Sequence, residues 1–149
     1  IPSRYYHLRV KNIHRWIQAT NVRIVITDVR TPAADGKFVS QPLSGPLQLM
    51  WRFTNFHPIY SIVGPDDICD LGHLFSGGEF ELTPFIVPGN LKVSVGPREN
   101  MRIEVKAVAD NAESEPLWID ISWDGCWKDD TLEMSKHLVV KTEKKRRNN

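Results

Sequence analysis

The stretch from Glu115 to Trp127, EPLWIDISWDGCW, constrains the fold more than any other part of the sequence. Its apolar residues Leu117, Ile119, Ile121 and Trp123 fall on one parity, whereas Trp118, Asp120 and Ser122 fall on the other. This period of two predicts a half-buried β-strand, and the Asp-Gly pair that follows is typical of a tight turn. A strand with four large apolar side chains on one face needs a second layer to cover them.

The same alternation recurs along most of the 149 residues, in short runs separated by Pro and Gly. Such runs occupy residues 4–10, 21–30, 47–53, 59–63, 68–75, 79–83, 91–95, 101–109, 117–123 and 137–141. A chain of about 8–10 short strands with regular turn signals and almost no helix is predicted to be all-β, with an antiparallel, immunoglobulin-like (Ig-like) β-sandwich fold. A small β-barrel is the second possibility.

The domain organisation follows from the end of this pattern. We expect one β-sandwich domain over residues 1–141 and a disordered basic tail over residues 142–149. The sequence from Asp130 to Glu133 fits a capping box and predicts one or two helical turns. Because Trp51 and Trp123 share the apolar parity of their strands, both are expected in the core.

Basic residues concentrate at the two ends of the chain, although the net charge is only +1. Residues 1–30 hold six Lys and Arg against one acidic residue, and residues 141–149 hold five against one. So small a net charge argues against a dedicated or sequence-specific nucleic-acid-binding protein. A small anionic ligand, or an anionic membrane surface near the N-terminus, suits these patches better. The candidate phosphate contacts are Arg4, Arg9, Arg15 and Arg23.

The sequence lacks the motifs of catalysis and metal binding. Neither GxSxG, a P-loop nor GxGxxG occurs, and the five His residues show no metal-ligand spacing. We therefore expect a protein that is not an enzyme and that holds no metal and no cofactor. Cys69 and Cys126 are expected to be free thiols, because a disulfide-stabilised secreted domain usually carries more cysteines.

Two groups of residues near the central stretch invite a binding interpretation. Asp124, Asp129 and Asp130 surround Trp127, and turn stabilisation with a helix cap is favoured over a cation or sugar site. Trp118 has the opposite parity from the core residues of its strand. It either faces solvent as a recognition platform or packs under a loop such as the one expected for residues 11–20, and it is included among the candidate ligand-binding residues.

Four stretches resemble a group of uncharacterised bacterial proteins in which one or two N-terminal hydrophobic segments precede a β-rich domain. They are RYYHLRVKN, IVGPDDICDL, FIVPGNL and the closing ISWDGCWKDDTLEMSKHLVVK, which is the most specific. The resemblance implies a membrane-anchored protein, and basic residues beside a hydrophobic segment favour the cytoplasmic side. The architecture is similar, more loosely, to two-transmembrane β-domain effectors of bacterial antiviral defence, in which the β domain senses a cyclic nucleotide.

These observations leave three functional hypotheses. The first is a binding or sensor domain for a small anionic signal such as a cyclic nucleotide. The second is a structural or oligomerisation module that associates through exposed strand edges and Trp118. The third is a carbohydrate-binding domain that stacks sugars on exposed aromatic rings.

Overall fold

The fold is built from two antiparallel β-sheets that share one hydrophobic core. A computed structural model describes residues 1–13, 19–52, 60–63 and 66–144 of the chain. Strands account for 55% of it and helix for 3%, which confirms the all-β prediction. The two sheets form a sandwich and do not close into a barrel, so the barrel alternative is wrong.

The described residues form eleven strands and one short helix. In chain order the strands are β1 (Ser3–Lys11), β2 (Ala19–Pro32), β3 (Phe38–Ser40), β4 (Leu47–Gln48), β5 (Tyr60–Val63), β6 (Asp66–Phe75), β7 (Phe80–Leu82), β8 (Ser94–Val95), β9 (Glu99–Val108), β10 (Leu117–Trp123) and β11 (Leu138–Glu143). The helix, α1 (Thr131–Met134), lies between β10 and β11.

The small sheet has the strand order β1-β6-β7-β8, and the large sheet has the order β11-β10-β9-β2-β3. Strands β4 and β5 also pair with β2. The strand of the central sequence stretch, β10, lies inside the large sheet, where Ile119 is opposite Ile103 of β9 and Thr142 of β11. The first strand in the chain, β1, is therefore an edge strand of the small sheet, and the last strand, β11, is an edge strand of the large sheet.

Side-chain alternation places the core between the two sheets. Ile119, Ile121 and Trp123 of β10 are buried there, as predicted from their parity. The small sheet contributes Leu74 of β6 and Phe80 of β7, both fully buried. Burial of one such side chain is worth about 1.5–3 kcal/mol relative to its exposure to water.

One segment, residues 47–52, passes from the large sheet to the small one, and we call it the crossing segment. It starts as β4, paired with β2, and then Leu49 forms a bridge with Pro84 and Trp51 with Cys69 of β6. The Trp51 indole Nε1–H donates back to the carbonyl of Val22 in β2 at 3.2 Å. The crossing segment thus joins the two sheets on this side of the sandwich.

Strand β3 lies where the sequence predicted no strand, and several strand boundaries also differ from the prediction. The strand predicted over 47–53 is strand only at Leu47–Gln48, because the crossing segment then leaves the large sheet. The strand predicted over 91–95 shortens to Ser94–Val95. The last strand continues to Glu143, so the boundary predicted after residue 141 falls inside it. Residues 145–149 lie outside the described residues, as do residues 14–18 of the loop expected at 11–20.

Candidate functional site

A concave surface lies as a groove between the edge strands of the two sheets. In the described part of the chain β1 pairs with β6 alone and β11 pairs with β10 alone, so each strand has one unpaired side. Helix α1 closes one part of the space between them. The resulting cavity has a volume of about 530 Å³, and we call it the edge groove.

The lining of the edge groove combines hydroxyl groups, one cation and an apolar wall. The polar lining residues are Ser3, Arg4, Tyr5, Tyr6, Thr131 and Ser135. The apolar lining residues are Met134, Leu138, Val139 and Val140. Among these described residues Arg4 alone carries a charge, so the groove favours an anion over a cation.

Arg4 is held in the groove by the segment that precedes α1. The Arg4 side chain lies on the same face of β1 as Tyr6. Its guanidinium group lies 5.5 Å from the centroid of the Trp127 ring. Nη2 donates to the carbonyl of Lys128 at 3.2 Å and Nη1 donates to Oγ1 of Thr131 at 3.2 Å. Nη2 also donates to the backbone carbonyl of Asp129 at 2.5 Å. All three acceptors are neutral, and within the described residues Arg4 forms no ion pair with a carboxylate.

Two further features of the lining bear on its chemistry. Arg4 Nε is buried and has no hydrogen-bond acceptor among the described residues. Burial raises the pKa of the Tyr6 phenol, an effect that the Arg4 charge partly opposes. Tyr6 is therefore protonated at neutral pH, with an O–H able to donate a hydrogen bond.

Local hydrogen bonds explain why the segment after β10 takes this shape. Asp124 accepts the backbone N–H of Cys126 at 2.8 Å, and its Oδ2 lies 2.6 Å from Nδ1 of His137. Both bonds favour the charged carboxylate and lower the pKa of Asp124, the His137 contact more than the other. Gly125 adopts φ of +91°, the left-handed conformation expected of the predicted turn.

The other two aspartates of this segment also stabilise the chain locally. Oδ1 of Asp129 accepts the indole N–H of Trp127 at 2.9 Å. Asp130 caps α1 by accepting the N–H of Glu133 at 3.0 Å, which confirms the predicted cap. The preferred interpretation of the three aspartates, turn stabilisation with a helix cap, is therefore confirmed.

The predicted arginine contacts do not form one cluster. Arg4 lines the edge groove, whereas Arg9 has the opposite parity on β1 and lies exposed on the other face of the small sheet. Arg23 lies on β2 of the large sheet, opposite Val108 of β9. Arg15 lies outside the described residues. Of the four candidates, Arg4 alone is placed in the groove.

Trp118 is not an exposed recognition platform, and that interpretation is wrong. It lies on the outer face of the large sheet with only 6% of its surface exposed. The guanidinium of Arg30 covers its ring at 4.9 Å, and Asp28 holds Arg30 through a 2.8 Å ion pair. The long side chain of Arg30 reaches across β9 from β2 and covers the indole in place of solvent.

Sequence reasoning missed the groove residues that come from the C-terminal part of the chain. Thr131, Met134 and Ser135 were assigned only to a helical turn. The predicted helix cap was the available signal, because it placed a short helix directly before the last strand. Nothing local indicated that this helix would face β1, which is more than 120 residues away in sequence.

Neither metal ligands nor a membrane-spanning helix is found among the described residues. Their His, Cys, Asp and Glu side chains form no group of three able to hold a metal ion. In this part of the chain no helix has both the length and the apolar composition needed to cross a bilayer.

Comparison of the chain with protein-family models, with curated proteins and with solved structures gave no match.

The two cysteines are free, and they differ strongly in exposure. Cys126 is exposed, whereas burial, assisted by nearby Asp70, raises the pKa of the Cys69 thiol to about 12.

Because thiol reagents attack the thiolate, we expect the folded protein to react at one cysteine, Cys126. A colorimetric thiol titration checks this: Cys126→Ser should remove the fast reaction, and denaturant should release the second thiol. Two fast thiols, or none, would contradict the structure.

Proposed function

We propose that this protein is a non-enzymatic binding domain that senses a small anionic ligand in the edge groove. One observation carries the proposal: the described lining contains several hydroxyl groups, no acidic side chain and the cation Arg4, which forms no ion pair among the described residues. Hydrogen bonds from a charged donor to an anion are about twice as strong as bonds between neutral groups. The buried Nε of Arg4 adds a donor that has no acceptor among the described residues and could bind a ligand oxygen.

The size and lining of the groove favour a ligand of nucleotide size. A volume of about 530 Å³ lies within the usual range for small-molecule sites, roughly 300–1,000 Å³. Arg4 and the hydroxyl groups suit phosphates, whereas the partly exposed Val139 and Val140 offer an apolar surface for a flat ring. A cyclic nucleotide combines both chemistries, as the resemblance to antiviral effectors also implies. We therefore propose that the domain takes part in antiviral signalling.

The setting we propose for this domain is the cytoplasmic face of a bacterial membrane, to which the intact protein is anchored. The support is the sequence resemblance together with the exposed cations Arg9 and Lys11 of β1. Each cation close to an anionic bilayer adds about 1 kcal/mol of attraction.

A thermal-shift and calorimetry screen against cyclic dinucleotides and trinucleotides tests the sensor proposal. A member of the panel present at 100 times its Kd should stabilise the fold by about 2.7 kcal/mol. The matching uncharged nucleosides should produce no shift, because the interaction with Arg4 requires the phosphate charge. No shift with any cyclic nucleotide would overturn the proposal.

Variants of the groove test the role of Arg4 directly. Arg4→Gln removes the charge and is expected to weaken ligand binding at least tenfold, a loss of about 1.4 kcal/mol or more. Ser135→Trp, at an exposed lining position, should block the groove while Arg4 stays in place. The matched control is Arg9→Gln, which removes an equal charge from the opposite face of β1 and should leave binding unchanged. Equal losses in Arg4→Gln and Arg9→Gln would contradict a specific site.

Self-association is a second candidate function, and the unpaired sides of β1 and β11 favour it. Edge strands with unpaired backbone groups are common sites of strand addition between chains. This candidate predicts that the sedimentation coefficient rises with protein concentration whether or not a nucleotide is present. A constant coefficient across the concentration range would exclude it.

A further inference from the structure

A row of aromatic rings lies on the outer face of the small sheet, and we call it the aromatic strip. It consists of Tyr5 on β1 and His73 and Phe75 on β6. The ring centroids of Tyr5 and His73 are 6.1 Å apart, and those of His73 and Phe75 are 4.6 Å apart. Tyr5 is 62% exposed and Phe75 is 40% exposed. Contiguous exposed rings of this kind mark a contact surface, because isolated aromatic residues normally bury their faces.

The polar groups beside the aromatic strip are imidazole and carboxylate pairs. Nε2 of His7 lies 3.2 Å from Oδ1 of Asp70, and Nε2 of His73 lies 3.6 Å from Oε2 of Glu81. Carboxylates accept several hydrogen bonds, and imidazoles donate as well as accept. The strip therefore offers flat apolar faces and, directly beside them, groups that bind hydroxyls.

The charges on this face decide which ligand chemistry fits. The cations Arg9 and Lys11 lie further along the same face of β1, but the two carboxylates lie beside the rings themselves. A nucleic acid stacked on these rings would bring its phosphates close to Asp70 and Glu81, and like charges in proximity are unfavourable. An uncharged ligand rich in hydroxyl groups meets no such repulsion.

We infer that the aromatic strip binds a neutral carbohydrate. The positively polarised C–H groups on the face of a pyranose ring pack against the electron-rich faces of Tyr5 and Phe75. The hydroxyl groups at the edge of the sugar donate to Asp70 and Glu81 and exchange hydrogen bonds with His7. This site is separate from the edge groove: Tyr5 borders both, whereas His73 and Phe75 belong to the strip alone.

The test is an NMR titration of the ¹⁵N-labelled protein with soluble hexasaccharides of glucose, xylose and N-acetylglucosamine. At least one of them should shift the amide signals of β1 and β6 around Tyr5, His7, His73 and Phe75. Phe75→Ala should lower the affinity about tenfold, and Phe75→Tyr should restore it because the ring is kept. Val39→Ala, which truncates an exposed apolar residue on β3 of the other sheet, is the matched control and should bind normally.

Three outcomes would overturn the inference. The first is that no hexasaccharide shifts any amide signal, although a thermal melt shows that the protein is folded. The second is unchanged affinity in both Tyr5→Ala and Phe75→Ala. The third is tighter binding of a single-stranded oligonucleotide than of any saccharide at the same face. Nucleotide binding in the edge groove would survive all three, because Phe75 and His73 lie outside its lining.

Discussion

Trp51→Ala is expected to destabilise the protein by about 3–5 kcal/mol, the usual cost of removing a large aromatic side chain from a core. The indole of Trp51 is only 2% exposed, and it connects the two sheets from within the crossing segment. Its truncation leaves a cavity and also removes the donor that satisfies the Val22 carbonyl. The loss of that hydrogen bond adds to the cost, because a buried carbonyl without a donor is unfavourable by about 1–3 kcal/mol.

Urea unfolding measured by circular dichroism checks this prediction. Trp51→Phe keeps most of the apolar volume and loses only the indole N–H, so its loss of stability should be clearly smaller. Phe85→Ala truncates an aromatic residue that is exposed, and its free energy of unfolding should stay within about 0.5 kcal/mol of the wild type. A Trp51→Ala variant as stable as the Phe85→Ala variant would mean that the two sheets are not joined in this way.

Gly72→Ala is expected to cost about 3 kcal/mol, because the small sheet has no room for a methyl group at this position. Gly72 lies opposite Tyr6 of β1 and Leu82 of β7, and Phe80 packs directly over it. A Cβ atom there would lie 2.5 Å from Cζ of Phe80 and would also overlap the backbone carbonyl of Glu81. A side chain can rotate away, but a backbone carbonyl held in a β-ladder cannot move without breaking strand pairing.

Gly45→Ala is the matched control for this substitution. A Cβ atom at Gly45 would meet nothing within 4 Å, so the change should leave the free energy of unfolding nearly unchanged. Parallel urea titrations of the two variants give the comparison. Equal stabilities would show that the close approach of Gly72 to Phe80 and Glu81 is absent in solution.

Alternation along the strands was enough to predict the fold and much of the core. Leu117 to Trp123, and the run from Leu47 to Trp51, place their apolar residues inward as the period of two requires. Alternation reports which face a side chain takes, but it does not report which strand lies beside it. For this reason the crossing segment was predicted as an ordinary strand.

The candidate site was predicted less well, because it depends on contacts between distant parts of the chain. Arg4 and Arg9 are close in sequence, yet opposite parity places them on opposite faces of the small sheet. Parity correctly placed Trp118 away from the core, but the cover supplied by Arg30 depends on the strand order, which puts β2 two strands away from β10. The edge groove likewise needs β1 and α1 to meet, a contact that no local pattern encodes.

The pairing of β2 with β9 determines when this domain can fold during its synthesis. Val29 is opposite Ile103 and Ile26 is opposite Val105, so β2 waits for a strand that is synthesised more than seventy residues later. Partners so distant along the chain make folding slow, on the millisecond-to-second scale typical of β-sandwiches. The edge of β2 that pairs with β9 stays without its partner strand during that interval, and chaperones that bind extended chains have an opportunity to act there.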